Sequence, residues 1–477
     1  MSADGRHTIT VFLSSPGDVS QEREIVAATI RSLNDEFLGR LGLAMVLVSS
    51  DTVLPDAGHP QTVINKQTPP YDLFIGLMWS RFGTPTERAG SGTEQELREA
   101  LSRRTIAGAD HPRILLYFCD RPVPFPKHAA DLRQLEQVVA FRNECRSRLL
   151  YSTFDDARMF ERLIRRHLVQ FALDRWSPAA ESAVDAPQVN DAVRHLEDKF
   201  KRLFWIGYAP IEFDPEVGRY PDASSIEADL RALIGGPIEG IITFGSEQTL
   251  SNIPAIAKAV GIRGVIMGVY DPTNTTELNA AVAARKSVDG YCVGHLGLRE
   301  GRYEQARLEE AIRMVRERSG KPVSTTEALE DLVAYEGLGA CVDWLFPDVH
   351  QYWHEGASPN AALADLVRTR DAVRQVRVHL GAHRPVLMKM LSYPSAGGSG
   401  LTPEAQREFF DRMLRMLHDD VSGPGRLYAS FFAAFDNDWK TRDRGWSPPE
   451  LSTGLYDLAR SPKPAVSAFI NQRRRAR

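Results

Sequence analysis

The sequence predicts two parallel α/β sheets in series: an open, doubly wound flavodoxin-like sheet, then a closed (β/α)8 barrel of the TIM type. Three observations carry this. Apolar β-branched runs alternate with amphipathic helical patterns along nearly all 477 residues, the sequence form of parallel strands joined by helical crossovers. That alternation breaks at Trp176, where SPAAESAVDAPQVNDA is small, polar and proline-bearing, with too little to bury for a packed element. The halves also differ in count, with five strand-like runs before the break and eight after it. The expected organisation is 1–175 as the first domain, 176–200 as a linker and 201–477 as the barrel.

In the first half, strands are expected at 8–15, 43–51, 71–79, 113–120 and 149–154. A helical pattern over 19–38 places Ile25, Ala28, Thr29 and Leu33 on one face, and 131–148 repeats it with Leu132, Leu135, Val138 and Val139. In the second half, strands are expected at 204–210, 240–246, 263–271, 289–298, 322–328, 343–353, 385–395 and 426–439. Helix starts are marked by the capping-box pattern Ser224-Ser225-Ile226-Glu227 and by Thr402-Pro403.

Composition narrows the function. Hydrophobic residues at 43%, charged residues at 25% and a formal charge of −4 are ordinary globular values, so nucleic acid is not an expected partner and the short Arg473-Arg474-Arg475-Ala476-Arg477 end reads as a solvated tail. No apolar run approaches the ~20 residues that cross a bilayer, and the opening residues lack a signal peptide's apolar stretch. A cytoplasmic location away from membranes is therefore expected. Cys119, Cys145, Cys292 and Cys341 are scattered without CxxC spacing, and His295 and His350 lack convergent partners in sequence, so no metal site is expected.

The ligand positions follow from fold logic, because doubly wound sheets and barrels both bind beyond the carboxyl ends of their strands. In the first half those ends display Ser14, Ser15 and Pro16 after strand one, Asp51 after strand two, and Trp79 and Arg81 after strand three. Thr93 then caps a helix with Glu96 in its first turn. Hydroxyls and amides suit phosphate or ribose, an indole suits a base, and a guanidinium suits a pyrophosphate.

VFLSSPGDV followed by ER, then YDLFIGLMWSRFG and SGTEQELREA, resemble an uncharacterised bacterial TIR-like family, and the Gly-Thr-x-x-Glu element resembles nucleoside deoxyribosyltransferases. Over about residues 7–170 this resemblance implies a domain that cleaves the N-glycosidic bond of NAD+ or a related nucleotide. NAD+ enters as substrate, no cofactor is required, and Glu96 is the ribose-contacting catalytic carboxylate. It also implies a bacterial, antiviral defence role with activation by homo-oligomerisation.

The second half resembles the glycoside hydrolase family 17 glucanases through WIGYAP at 205–210, GIITFGS at 240–246, KPVSTTE at 321–327 and PSAGG at 394–398. Where that family carries its acid in Gly-Asn-Glu, this chain has Gly294-His295-Leu296. The nucleophile's Glu-Thr-Gly-Trp-Pro-Ser becomes Met390-Leu391-Ser392-Tyr393-Pro394-Ser395. Retaining glycosidases need two carboxyl groups about 5 Å apart, so the barrel is expected to recognise a sugar-like ligand or a protein without cutting it. Tyr208, Phe244, Glu327, His350, Tyr352, Trp353, Asp436 and Trp439 are the expected walls of that cleft, with Asp348 and Asp438 as further acids near the mouth. Two rival readings stand: a nucleotide-binding module that breaks no bond, and a carbohydrate-active enzyme with relocated carboxylates.

Overall fold

The structure is a computed structural model that describes residues 7–49, 69–86, 88–107, 112–126, 128–146, 151–175, 190–335, 337–349, 358–380, 384–419, 426–440 and 446–475. The chain divides into two compact units, 1–176 and 177–477.

The first unit is built on β1 (His7–Ser14), β2 (Leu43–Ser49), β3 (Leu73–Met78), β4 (Arg113–Cys119) and β5 (Ser152–Phe154), all parallel, in the order β2-β1-β3-β4-β5. This is the flavodoxin-like order, and the chain reverses direction across the sheet between β1 and β3. Helices α1 (Ser20–Glu36) and α4 (Ala157–Arg175) pack on each other. Residues of α2 (Gly92–Ala107) and α3 (Ala129–Arg146) close a core with the sheet: Leu97, Ala100, Val138 and Phe141 meet Phe12, Phe74 and Met78. Every residue of β3 is buried, as a strand covered on both faces must be. The faces of the helices differ from the periodicity. In α1 the buried stripe is Glu22, Val26, Thr29, Ile30 and Leu33, while Ala28 is exposed; in α3 Leu132 and Val139 face solvent and Phe141 and Cys145 go inside.

In the second unit, β6 (Trp205–Gly207), β7 (Gly240–Ile242), β8 (Gly264–Val269), β9 (Gly290–His295), β10 (Val323–Thr326), β11 (Val386–Leu391) and β12 (Leu427–Phe431) form one parallel sheet in the order β10-β9-β8-β7-β6-β12-β11. The gap between β10 and β11 is closed by 343–348. Asp348 bridges to Ala328 on one side and to Lys389 on the other, and Leu345 bridges to Val386. The barrel therefore has eight strand positions, the sixth held by isolated bridges.

Residues 176–189 of the expected linker lie outside the described residues, but its remainder is not linker. Asp191–Arg202 forms helix α5, capped by Asn190, and buries Val193, Leu196 and Phe200. Phe200 meets Trp205, Trp344 and Tyr428, so α5 packs against apolar residues of the barrel strands. The caps also need correction. Asp222, not Ser224, caps the following helix by accepting from Ser225 N at 2.8 Å, whereas Thr402 Oγ1 accepts from Ala405 N ahead of Pro403–Asp419 as expected.

Candidate functional site

In the first unit the sheet order reverses between β1 and β3, and doubly wound sheets bind ligands beyond the carboxyl ends of the strands at such a point. Ser14, the last residue of β1, is 2% exposed and donates its hydroxyl to Glu96 Oε2. Glu96 is itself buried, 8% exposed, in the first turns of α2. That helix is capped differently from the sequence expectation: Ser91 Oγ, not Thr93, accepts from Glu94 N at 3.1 Å, and Glu94 reaches back to Gly90 N at 2.7 Å. This reciprocal pair relieves Glu96 of any capping task and leaves its carboxylate turned to the sheet end. Thr93 is buried on the same turn.

Beside this pair, the Ser15 hydroxyl is buried and has no hydrogen-bond partner among the described residues, and Pro16 is buried behind it. An unpaired buried hydroxyl costs free energy, so Ser15 marks a place where a ligand's polar group would be welcome. Asp18 Oδ2 accepts from Ser80 N at 2.9 Å, Ser80 Oγ at 3.0 Å and Arg81 N at 2.8 Å. This acid ties the end of β3 to the entrance of α1. Trp79 is half-buried, donates its indole N–H to Arg121 O at 3.1 Å and lies under the Arg121 guanidinium, 4.6 Å from the ring centroid. Arg121 also pairs with the buried Glu22 at 2.9 Å. Arg81, expected near a pyrophosphate, has an exposed side chain. Asp51 lies outside the described residues.

In the second unit the mouth of the barrel holds a polar cluster around Lys389, near the end of β11 and 2% exposed. Its Nζ sits 2.8 Å from His295 Nδ1 and 3.4 Å from Asp348 Oδ2. Phe244 and Phe346 ring centroids each lie 5.9 Å away. His295 stacks on Tyr270 and meets Phe244 edge-on. Glu327, fully buried after β10, accepts from Tyr303 OH at 2.7 Å through Oε1, while Oε2 has no partner among the described residues. Burial is the main reason its carboxyl is pushed up to about 7; Asp331 adds to the rise, and the Tyr303 hydrogen bond and Lys389 oppose it.

The expected barrel walls are only partly at this mouth. Phe244 and Glu327 are there. Tyr208 is not: it is 1% exposed and its hydroxyl donates to the buried Asp229 at 3.0 Å, which also takes Arg460 at 2.8 Å. It is a core residue with no surface for a ligand. Asp436 is held by Lys463 at 2.6 Å and by Gly454 N at 3.0 Å, and burial still raises its carboxyl. Trp439 packs edge-on against Trp446 near the buried Lys440, and Asp438 is exposed. His350, Tyr352 and Trp353 lie outside the described residues.

The positions that resemble glucanase glutamates carry Leu296 and Met390, both with left-handed backbone, φ 52° and 64°. Sequence reasoning missed Lys389, Tyr303 and Arg121, and did not join His295 to the cleft. A lone lysine inside the apolar run VLMKML was the available signal. Among the described residues no group of three or more His, Cys, Asp and Glu is placed to hold a metal, and no helix is long and apolar enough to cross a membrane.

Residues 10–169 match a family described as a domain of unknown function, DUF4062. A domain of that description therefore precedes the barrel. No curated protein matches the chain. Among solved structures, the chain is similar to a β-1,3-glucanase and allergen of Cryptomeria japonica pollen, with 16% identity over 55% of this chain and 97% of that one, at a TM-score of 0.42. A GH5_18 protein from Streptomyces cattleya in complex with GlcNAc gives 16% identity over 57% and 80%, at 0.42. A β-glucuronidase of Faecalibacterium prausnitzii gives 14% over 58% and 48%, at 0.43, so the chain spans about half of that protein. The barrel rests on its own strand pairing.

Proposed function

We propose that the first unit hydrolyses the N-glycosidic bond of NAD+ or a related nucleotide, with Glu96 as the carboxylate at the ribose. The observation that carries this is the buried Ser14–Glu96 pair at the point where the sheet reverses. Cleavage of a nicotinamide glycoside differs from that of a sugar ether. The departing ring nitrogen is already cationic and takes the bonding pair to become neutral, so no acid has to protonate it. What remains is an oxocarbenium-like ribose, which one fixed carboxylate stabilises before water adds and releases a proton. One buried glutamate is thus chemically sufficient, where an O-glycosidase needs two acids. Ser14 orients the carboxylate, and the unpaired Ser15 hydroxyl supplies a contact for a ribose or phosphate oxygen.

In the same proposal the barrel recognises a sugar-like or protein trigger and does not cut glycosides, since aliphatic Leu296 and Met390 can neither donate a proton nor attack. An effector that consumes a central nucleotide must be silent until triggered, which fits a defence-type sensor–effector that assembles into a homo-oligomer when active. The test is nicotinamide release from NAD+ by the purified full chain, with and without candidate triggers, beside Glu96→Gln. Release that Glu96→Gln abolishes supports the reading; release that survives unchanged overturns it. A second reading, nucleotide binding without cleavage, is favoured by Ser14 already occupying one Glu96 oxygen, and saturable NAD+ binding without nicotinamide release would select it.

A further inference from the structure

Lys389 takes no part in the chemistry assigned to Glu96, yet it is a lysine buried inside an apolar barrel strand. Burying an ammonium is expensive unless it is paired and hydrogen-bonded; Asp348 and His295 meet that need here, and the lysine lies at the mouth end of the seventh strand position, where barrel ligands bind. Its Nζ is within hydrogen-bond reach of a base, His295 Nδ1 at 2.8 Å, and that base is held by a third group, the Tyr270 ring stacked 5.7 Å away. A nucleophile next to an oriented base is the arrangement that activates amines toward carbonyl carbons. A second observation is independent of the lysine. Thr326, 1% exposed and lining the same small cavity as Lys389, His295 and Phe244, has a hydroxyl with no hydrogen-bond partner among the described residues. Tyr270 is 44% exposed, and His295, stacked on it, and Phe244 are half-buried.

We propose that Lys389 captures a small aldehyde or ketone as an imine. The Lys389 ammonium passes one proton to His295 Nδ1, and the amine nitrogen attacks the carbonyl carbon. The carbonyl oxygen, beside the Thr326 hydroxyl, takes that proton back from His295. A second nitrogen proton travels the same route to the resulting hydroxyl, which leaves as water, and the nitrogen lone pair forms the C=N bond. The product is a protonated imine and one water, with the charge conserved and no oxidant or reductant consumed. Asp348, 3.4 Å from Nζ, balances the positive charge before and after. This rests on the reading of the barrel mouth as a ligand site and is independent of Glu96.

The experiment is borohydride trapping on the full-length protein with dihydroxyacetone or pyruvate as probe, followed by peptide mass spectrometry. The expected result is a reduced adduct on the Lys389 peptide at least ~10-fold above that on the exposed Lys201 and Lys286. No adduct, or labelling of Lys389 no stronger than of those two, overturns the proposal. The wild-type map decides this even if Lys389→Arg fails to fold. His295→Gln should slow trapping ~10-fold or more near pH 7, as loss of a general base does, with part of the rate restored by added imidazole. Trapping as fast as in the wild type overturns the role of His295. A probe-dependent rise in thermal midpoint without any adduct overturns the imine and leaves the barrel's ligand-binding role standing.

Discussion

The Tyr303 hydroxyl donates to Glu327 Oε1 at 2.7 Å while accepting from the backbone amides of His295 and Gly297 at 2.7 and 3.0 Å. One phenol thus fixes the ends of β9 and β10 against each other and stands between a buried acid and the Lys389–His295 pair. It also explains the glycines here, since a Cβ on Gly297 would lie 2.1 Å from the Tyr303 ring.

Because burial raises the Glu327 carboxyl from 4.5 to about 7, the folded barrel holds a proton that the unfolded chain releases between those values. Below pH 4.5 both states are protonated and the group contributes no difference. As pH rises to 7 the unfolded state gains, so stability falls, and above 7 the penalty is constant at up to about 3 kcal/mol. Glu327→Gln keeps an acceptor for Tyr303 without the titration. Denaturant unfolding should therefore show the variant gaining on the wild type between pH 5 and pH 8. A difference that does not change with pH excludes the mechanism.

At the first site, Ser14→Ala removes the donor to Glu96 but leaves the carboxylate. A hydrogen bond to a charged group is worth about 1.5–3 kcal/mol, so nicotinamide release should drop ~10–100-fold, with more residual activity than Glu96→Gln retains. Equal losses in the two variants would mean that Ser14 does more than orient the acid.

Asp18 collects Ser80 N, Ser80 Oγ and Arg81 N on one oxygen. Asp18→Ala leaves two backbone amides at the end of β3 to find other partners, and a loss of about 2–3 kcal/mol is expected in equilibrium unfolding of the first unit. Asp18→Asn, which keeps an acceptor oxygen, should lose less. A loss as large in Asn as in Ala would indicate that the charge, and not the acceptor geometry, holds this turn.

Strand identity and sheet class were legible because the apolar runs are long and their periods distinct: the five-strand order and the ring of strand positions follow from alternation and crossover rules. Helix faces were less so. The α1 stripe runs through Glu22, an acid that buries only because Arg121 from the end of β4 reaches it, and no local pattern signals a partner about a hundred residues away. Tyr208 read as a cleft aromatic because it follows a strand, but its hydroxyl is claimed by Asp229 on a neighbouring helix. Glu96 was placed by the resemblance of its Gly-Thr-x-x-Glu element and by its position after strand three, while its partner Ser14 lies in a run where Ser14 and Ser15 are indistinguishable by type; side-chain alternation along β1 decides which of them meets the acid. Lys389 sits in an apolar strand whose sequence does not show that His295 and Asp348 from other strand positions meet it.

Trp205, with Trp344 the largest of the fully buried side chains described in the barrel, has its indole against glycines of two neighbouring strands. A Cβ on Gly240 would fall 2.6 Å from Trp205 Cδ2, and one on Gly264 2.5 Å from Cη2. Both neighbours are rigid ring atoms, so neither clash relaxes by a rotamer change. Gly264→Ala should destabilise the barrel by about 1–3 kcal/mol, the usual range for overpacking. Shrinking the indole separates crowding from loss of backbone freedom: Trp205→Phe leaves a cavity by itself, but combined with Gly264→Ala its cost should be smaller than the sum of the two single losses. Residues in direct contact couple in this way, whereas distant ones add. A double-mutant cycle measured by urea unfolding reads that coupling, and strictly additive losses would show that the indole does not set the requirement for glycine at 264.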